Sequence, residues 1–230
     1  AMFVMFSFMF MQMLHFQLVR GLSPLEAAIR FFPLPLGLMP AAANSDKLVG
    51  KFGRRKVITF GLCLVAVGLM LFTLVDIETA YAQIAVTFLL LGLGMGLTMA
   101  PSTTAIMEAI PQNKAGVGSA TNDASREIGG ALGIAIGGSV LNQIYQSALV
   151  IPESFNASKD ILMASFPATM RIGNESLHPD APMLIASARE AFVEGMIGSC
   201  YITAVVAILA AIIVWTMMPD EELKDVSSEE

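Results

Sequence analysis

A basic stretch, Gly50-Lys51-Phe52-Gly53-Arg54-Arg55-Lys56, separates two long apolar parts of the chain, and it decides how the rest is read. Four of its seven side chains are cationic. Because charge at this density is costly inside hydrocarbon, the stretch predicts a short loop at a membrane surface. The positive-inside rule predicts that this surface is cytoplasmic.

The composition around this loop is that of a membrane protein. Hydrophobic residues make up 55% of the chain and charged residues 14%, against about 25% charged residues in a soluble domain. Charge-free runs of about 20 residues are long enough to cross the hydrocarbon layer. Four runs are clean, at 57–75, 79–107, 128–152 and 195–219. Two further spans are less distinct. Residues 1–19 carry no charge but begin abruptly, and residues 25–44 include Glu26 and Arg30.

These runs predict an all-α membrane protein with six transmembrane helices. Six spans can form two groups of three helices, which is the arrangement of an inverted repeat. We therefore expect a six-helix bundle over 1–217, with a long extracellular loop at about 147–187 and an acidic cytoplasmic tail at 218–230. The bundle would sit in the cell membrane as a multi-pass protein, and the C-terminus would be cytoplasmic.

Several function classes lack their sequence signals. The chain has no HExxH, GxSxG, Walker A or CxxC motif, so we expect no enzyme and no catalytic residues. Cys63 and Cys200 fall inside apolar spans, which argues against a disulfide framework or a metal site. The basic residues form one loop rather than an extended patch, so nucleic-acid binding is not expected.

The predicted fifth helix, about 118–145, carries glycines at a spacing of four residues. Gly129, Gly133 and Gly137 line one helix face, where another backbone can approach closely. Glycine costs about 1 kcal/mol in the interior of a soluble helix, so its repeated use predicts a packing role. The pattern fits either static helix packing or a close contact that moves.

The same helix carries three ionisable residues, Asp123, Arg126 and Glu127. Arg126 is within reach of Asp123 at i+3. Ionisable residues inside membrane spans generally face a cavity or a partner and are functional candidates. Three roles remain open: a structural ion pair, a gate that forms and breaks during transport, and a proton-binding carboxylate.

The first predicted helix combines polar residues with many methionines. Gln12, Met13 and His15 are candidates for a substrate cavity, since methionine-rich surfaces adapt to varied apolar ligands. The alternative is that these residues belong to the core or face lipid.

Four segments, taken in order, resemble the major facilitator superfamily, specifically the C-terminal half of its fourteen-helix drug:proton antiporter branch. They are the turn at 17–33, the basic loop at 48–56, the segments 115–120 and 126–133 of the fifth helix, and Ala191-Phe-Val-Glu-Gly195 at the start of the last helix. One departure is visible. Gly50 stands where the family motif has an acidic residue.

The resemblance implies half of a major facilitator fold that works by alternating access. The proton would be the coupling ion, with no other cofactor, and the substrate an amphipathic or cationic small molecule. The partners would be the lipid bilayer and an N-terminal six-helix half, which this chain lacks. Alternatives are a permease for a metabolite, sugar or lipid, and a non-transporting membrane sensor or assembly subunit.

The resemblance also suggests roles for charged residues. Asp123 and Glu127 would respond to protons or cations, with Arg126 as their partner. The basic loop would act as cytoplasmic gate and anchor through Lys51, Arg54 and Arg55. Since Gly50 supplies no acid, the carboxylates expected near these cations are those of Asp46, Asp123 and Glu127.

Overall fold

The computed structural model describes residues 1–77 and 79–219, and the fold over these residues is entirely helical. The remaining residues, including most of the predicted acidic tail, lie outside the described part. Nine α-helices follow one another: α1 Met2–Leu14, α2 Pro24–Arg30, α3 Pro33–Phe52, α4 Arg54–Phe72, α5 Tyr81–Glu108, α6 Ala115–Ala148, α7 Lys159–Ala164, α8 Phe166–Glu175 and α9 Ala181–Met217. A π-helical turn, His15–Val19, extends α1, and 3₁₀ turns at Gln112–Lys114 and Glu153–Ser158 precede α6 and α7.

Five of these helical segments are long and apolar enough to cross a membrane. They are Met2–Val19, Arg54–Phe72, Tyr81–Glu108, Gln112–Ala148 and Ala181–Met217. The predicted second span differs from expectation. Residues 25–44 are divided between α2 and α3, because Pro33 lacks the amide hydrogen that would continue α2. The second part, α3, has 20 residues, but its C-terminal half carries Asp46, Lys47 and Lys51, which make it less apolar.

The long helices pack in pairs that relate the first half of the chain to the second. α1 lies along α6, α3 along α5, and α4 along α9. An inverted repeat would relate α1 to α5, α3 to α6 and α4 to α9. This relation converts the α1–α6 pair into the α5–α3 pair, and it leaves the α4–α9 pair unchanged. These three pairs fit a three-helix inverted repeat, whereas the close packing of α4 on α5 and of α6 on α9 has only slight counterparts in α1–α9 and α3–α4.

The basic stretch forms an elbow between two helices rather than an extended loop. α3 continues through Phe52 and α4 begins at Arg54, so Gly53 alone is non-helical. Gly53 has φ 85° and ψ 147°, a backbone conformation that glycine adopts without steric cost. We call the end of the bundle that holds this elbow the basic end.

The predicted long loop at 147–187 is mostly helical and forms a cap on the opposite end, which we call the capped end. The α8 side chain of Phe166 stacks on Phe192 of α9, with ring centroids 4.5 Å apart. Tyr145 of α6 is buried, and its hydroxyl lies 3.2 Å from the Leu162 carbonyl oxygen and 2.8 Å from Thr169 Oγ1. The cap is therefore anchored to both helices that lead into it.

The helices α6 and α9 are both longer than the bilayer is thick. α6 has 34 residues and α9 has 37, which correspond to about 50 and 55 Å at 1.5 Å per residue. The hydrocarbon core is about 30 Å thick. Part of each helix therefore extends beyond it, and at the capped end α9 packs against α8 and α6 against α7.

Candidate functional site

A charge pair joins α4 to α5 at the basic end. Arg54 Nη2 donates to Glu108 Oε2 at 2.7 Å, and the two side chains are 13% and 58% exposed. Because Glu108 is largely exposed, such a pair contributes at most about 1 kcal/mol to stability. Its position matters more, since it connects the first residue of one membrane helix to the last residue of another.

The carboxylate that pairs with the basic stretch belongs to Glu108, which the sequence pattern did not indicate. The carboxylate near the basic stretch was expected to come from Asp46, Asp123 or Glu127, and none of these three forms an ion pair with another residue in the described ranges. Asp46 lies exposed on α3. Glu108 and Arg54 are 54 positions apart, and a tertiary contact over that separation leaves no local signal in the sequence.

Arg55 and Lys51 each lie near an aromatic ring at the same end. The Arg55 guanidinium carbon is 4.8 Å from the centroid of Trp215, which connects the start of α4 to the end of α9. Lys51 Nζ is 5.2 Å from the Phe52 ring centroid. Cation–π contacts of this kind contribute about 0.5–1 kcal/mol at exposed sites.

A cavity of about 360 Å³ opens at the basic end between α1, α4, α5, α6 and α9. Its walls are mostly apolar, but α5 and α6 contribute a polar side made of Thr98, Ser102, Thr103, Asn122, Ser125 and Arg126. Several of these hydroxyls already donate to their own helix. Ser102 donates to the Thr98 carbonyl at 2.6 Å, and Ser125 to the Thr121 carbonyl at 2.7 Å. Their oxygen lone pairs therefore remain available to a donor.

Arg126 is turned toward α5, and it is the charged residue in this cavity. Its Nη2 donates to Thr103 Oγ1 at 3.1 Å. The predicted partnership with Asp123 and Glu127 is absent among the described residues, because Arg126 lies on the cavity side of α6. Asp123 and Glu127 are exposed and do not line the cavity. Across 1–77 and 79–219, no three His, Cys, Asp or Glu residues come together as metal ligands.

The three glycines of α6 lie along the contact with α1, but they differ in how closely α1 approaches. A Cβ atom at Gly133 would collide with the backbone of Phe3, whose carbonyl carbon would be 2.8 Å away. At Gly137 it would collide with the Ser7 hydroxyl. At Gly129 the nearest atom would be Met2 Cβ at 3.5 Å, an ordinary contact.

The helices α3 and α5 also have glycines at the point where they cross. A Cβ atom at Gly92 would collide with the Leu34 carbonyl oxygen, and one at Gly37 would come within 2.9 Å of the Leu93 nitrogen. Both crossings therefore bring helix backbones into direct contact, as small residues allow in membranes. Gly37 was not recognised from the sequence, since it stands alone among bulky residues and prolines.

The polar residues predicted to face a substrate are buried inside the bundle. Gln12 and His15 are both 0% exposed, and Gln12 Nε2 donates to His15 Nδ1 at 3.0 Å. Gln12 Oε1, His15 Nε2 and, one to two turns earlier on α1, Ser7 Oγ have no hydrogen-bond partner among the described residues. In this conformation neither Gln12 nor His15 lines the basic-end cavity, and Met13 is half-buried against the core.

Comparison with known proteins extends these observations. The family model described as Major Facilitator Superfamily matches residues 1–134. The chain is 29% identical over 208 residues to the multidrug efflux pump LfrA of Mycolicibacterium smegmatis, covering 90% of this chain and 41% of LfrA.

Two further relatives show similar coverage. The methyl viologen resistance protein SmvA of Salmonella typhimurium is 29% identical, over 84% of this chain and 39% of SmvA. The multidrug resistance protein Stp of Mycobacterium tuberculosis is 30% identical, over 78% of this chain and 35% of Stp. The chain thus spans about two fifths of the length of these relatives. With a family model matching more than half of its residues, the chain is a multi-pass membrane protein that belongs to the Major Facilitator Superfamily.

Proposed function

We propose that this chain forms the C-terminal six-helix half of a proton-coupled multidrug efflux transporter that works by alternating access. The observation that carries the proposal is its similarity, over 90% of its length, to a multidrug efflux pump. The helix pairing expected of an inverted repeat supports the same conclusion. The substrate would be an amphipathic or cationic small molecule, and the remaining half of the transporter would complete the transport path.

The proposed orientation places the basic end in the cytoplasm. The elbow carries Lys51, Arg54, Arg55 and Lys56, and the positive-inside rule assigns such a loop to the cytoplasmic side. α9 ends at this side, so the C-terminus would be cytoplasmic and the cap extracellular.

The two ends of the bundle hold polar contacts that could alternate during transport. At the basic end, Arg54 binds Glu108. At the capped end, Arg20 Nη2 donates to the Thr79 carbonyl oxygen at 2.7 Å. In alternating access one bundle rocks against the other, so the surroundings of the two ends change between states. Both contacts are formed in the conformation described here. We infer that the Arg54–Glu108 pair belongs to the cytoplasmic gate.

Asp123 and Glu127 are the proposed proton-responsive groups. Both are exposed on α6, and neither pairs with a described cation. An ionisable residue at membrane depth needs a partner or a water-filled path. In the full transporter the remaining half would provide this environment, and protonation would then change how the two halves bind each other.

The test uses the full-length protein in everted membrane vesicles. A proton gradient drives uptake of a fluorescent cationic dye, and the double variant Asp123→Asn/Glu127→Gln is compared with wild type. We expect gradient-driven uptake to fall by about tenfold or more, within the usual range of coupling between two sites. The control variant Glu153→Gln/Asp160→Asn removes two exposed carboxylates from the cap. Unchanged dye uptake by the α6 variant at equal protein level would refute the proton role.

A further inference from the structure

We propose that an anionic phospholipid binds in a groove beside the α3–α4 elbow. This elbow groove has a volume of about 330 Å³ and is lined by Leu48, Phe52, Lys56, Val57, Phe60 and Leu97. The proposal rests on the protein being embedded in a membrane and does not depend on what it transports.

The walls of the groove are apolar and poorly covered by protein. Phe52 is 48% exposed and Phe60 is 59% exposed. Apolar side chains of this size, exposed side by side at the surface of a membrane protein, match the acyl chains of a lipid better than they match water. The walls therefore provide the tail-binding part of the site.

The groove continues into a longer apolar face of α4. Phe60, Val67 and Leu71 follow one another at helical spacing, and all three are exposed. Since α4 is one of the membrane-crossing helices, this face lies against lipid tails. An acyl chain that follows the face toward the basic end runs directly into the elbow groove.

Two ammonium groups at the elbow are available for a headgroup. Arg54 binds Glu108, and Arg55 stacks on Trp215. Lys51 and Lys56 are exposed and form no ion pair with any described residue. Lys56 lines the groove itself, and Lys51 lies over the ring of Phe52 in its wall.

These charges favour an anionic headgroup. Among the described residues that line the groove there is no carboxylate, so a phosphodiester there would meet the Lys56 ammonium, with that of Lys51 beside it. Basic pockets between transmembrane helices are known to bind anionic lipid headgroups. Each lysine near a membrane surface strengthens such binding about fivefold, so the pair should contribute about 30-fold.

The experiment measures lipid retention by the purified full-length protein in detergent. Native mass spectrometry compares phosphatidylglycerol with phosphatidylcholine of the same acyl chains. We expect phosphatidylglycerol to bind more tightly, and Lys51→Gln/Lys56→Gln to weaken its binding about 30-fold. The control Lys114→Gln/Lys159→Gln removes the same number of exposed charges elsewhere and should leave binding unchanged.

A second variant and a competitor separate the lipid site from simpler explanations. Phe60→Ser keeps both lysines but removes part of the apolar wall, so it should also weaken phosphatidylglycerol binding. Inorganic phosphate at millimolar concentration should not displace the lipid. Equal retention by the wild type and the elbow double variant overturns the proposal, as does displacement by phosphate, which would show a site for a soluble anion. Because the readout is binding, a failure here leaves the transport proposal untouched.

Discussion

Gly133 lies where α6 crosses α1, and replacing it with alanine should force the two helices apart. The added methyl group would meet the carbonyl carbon of Phe3 at 2.8 Å and its Cα atom at 2.9 Å. Both are backbone atoms, so no side-chain rotation relieves the collision. Overpacking of a tightly packed contact costs about 1–3 kcal/mol, and we expect Gly133→Ala to lose stability in that range.

Gly129 supplies a matched control on the same face of the same helix, one turn earlier. A methyl group there would meet Met2 Cβ at 3.5 Å, which is ordinary van der Waals contact. Alanine also favours the helix over glycine by up to about 1 kcal/mol. Gly129→Ala should therefore be neutral or stabilising, and the two variants should differ by about 1–4 kcal/mol.

The assay is thermal unfolding of the full-length protein in detergent. At the size of this chain, such a difference corresponds to a midpoint for Gly133→Ala about 2 °C or more below that of Gly129→Ala, and the shift is smaller in a longer protein. If the two variants unfold at the same temperature, the close approach of α1 at Gly133 does not exist in the full protein.

Further predictions concern the charge pair, the cap and the start of α2. Exchanging the partners, as Arg54→Glu/Glu108→Arg, should restore dye transport that either single change reduces, while the unfolding midpoint of Glu108→Gln changes by less than the equivalent of about 1 kcal/mol. Tyr145→Phe should cost about 1 kcal/mol and speed amide exchange in α7 and α8, because it removes a buried hydroxyl that binds the cap. The Ser23 amide and hydroxyl donate hydrogen bonds to Glu26 at the N-terminus of α2, and these bonds lower the pKa of the Glu26 carboxyl. The stabilisation of this helix start is complete above the ordinary carboxyl pKa and is lost as pH falls through the lower folded value. Exchange of α2 amides, corrected for intrinsic rates, should therefore rise on acidification in wild type and lose this dependence in Glu26→Gln.

The membrane helices could be predicted from the sequence because their signal is local. A charge-free run such as 57–75 has to satisfy its own backbone hydrogen bonds in lipid, and a helix does this within the run. The family could be recognised for a similar reason, since its motifs are short and ordered along the chain. The elbow at Gly53 also lies within the basic stretch that indicated a loop.

The features that the sequence did not predict depend on tertiary contacts. The partner of Arg54 is Glu108, which only the packing of α4 on α5 brings close. Arg126 turns away from Asp123 because the cavity and Thr103 lie on its other side. The cap was read as a loop because its helices are short, and their stability depends on contacts such as Phe166 on Phe192 rather than on a long apolar run.

The attachment of the cap makes the tilt of α9 measurable from outside the membrane. α8 and α9 pack together, so a spectroscopic label on the exposed side chain of Arg171 in α8 would move with α9 as one body. With a helix of 37 residues, or about 55 Å, a tilt of about 10° displaces the far end by about 10 Å. Distances between labels on the cap and on the proposed N-terminal half would then report the proposed transport cycle without any probe inside the substrate path.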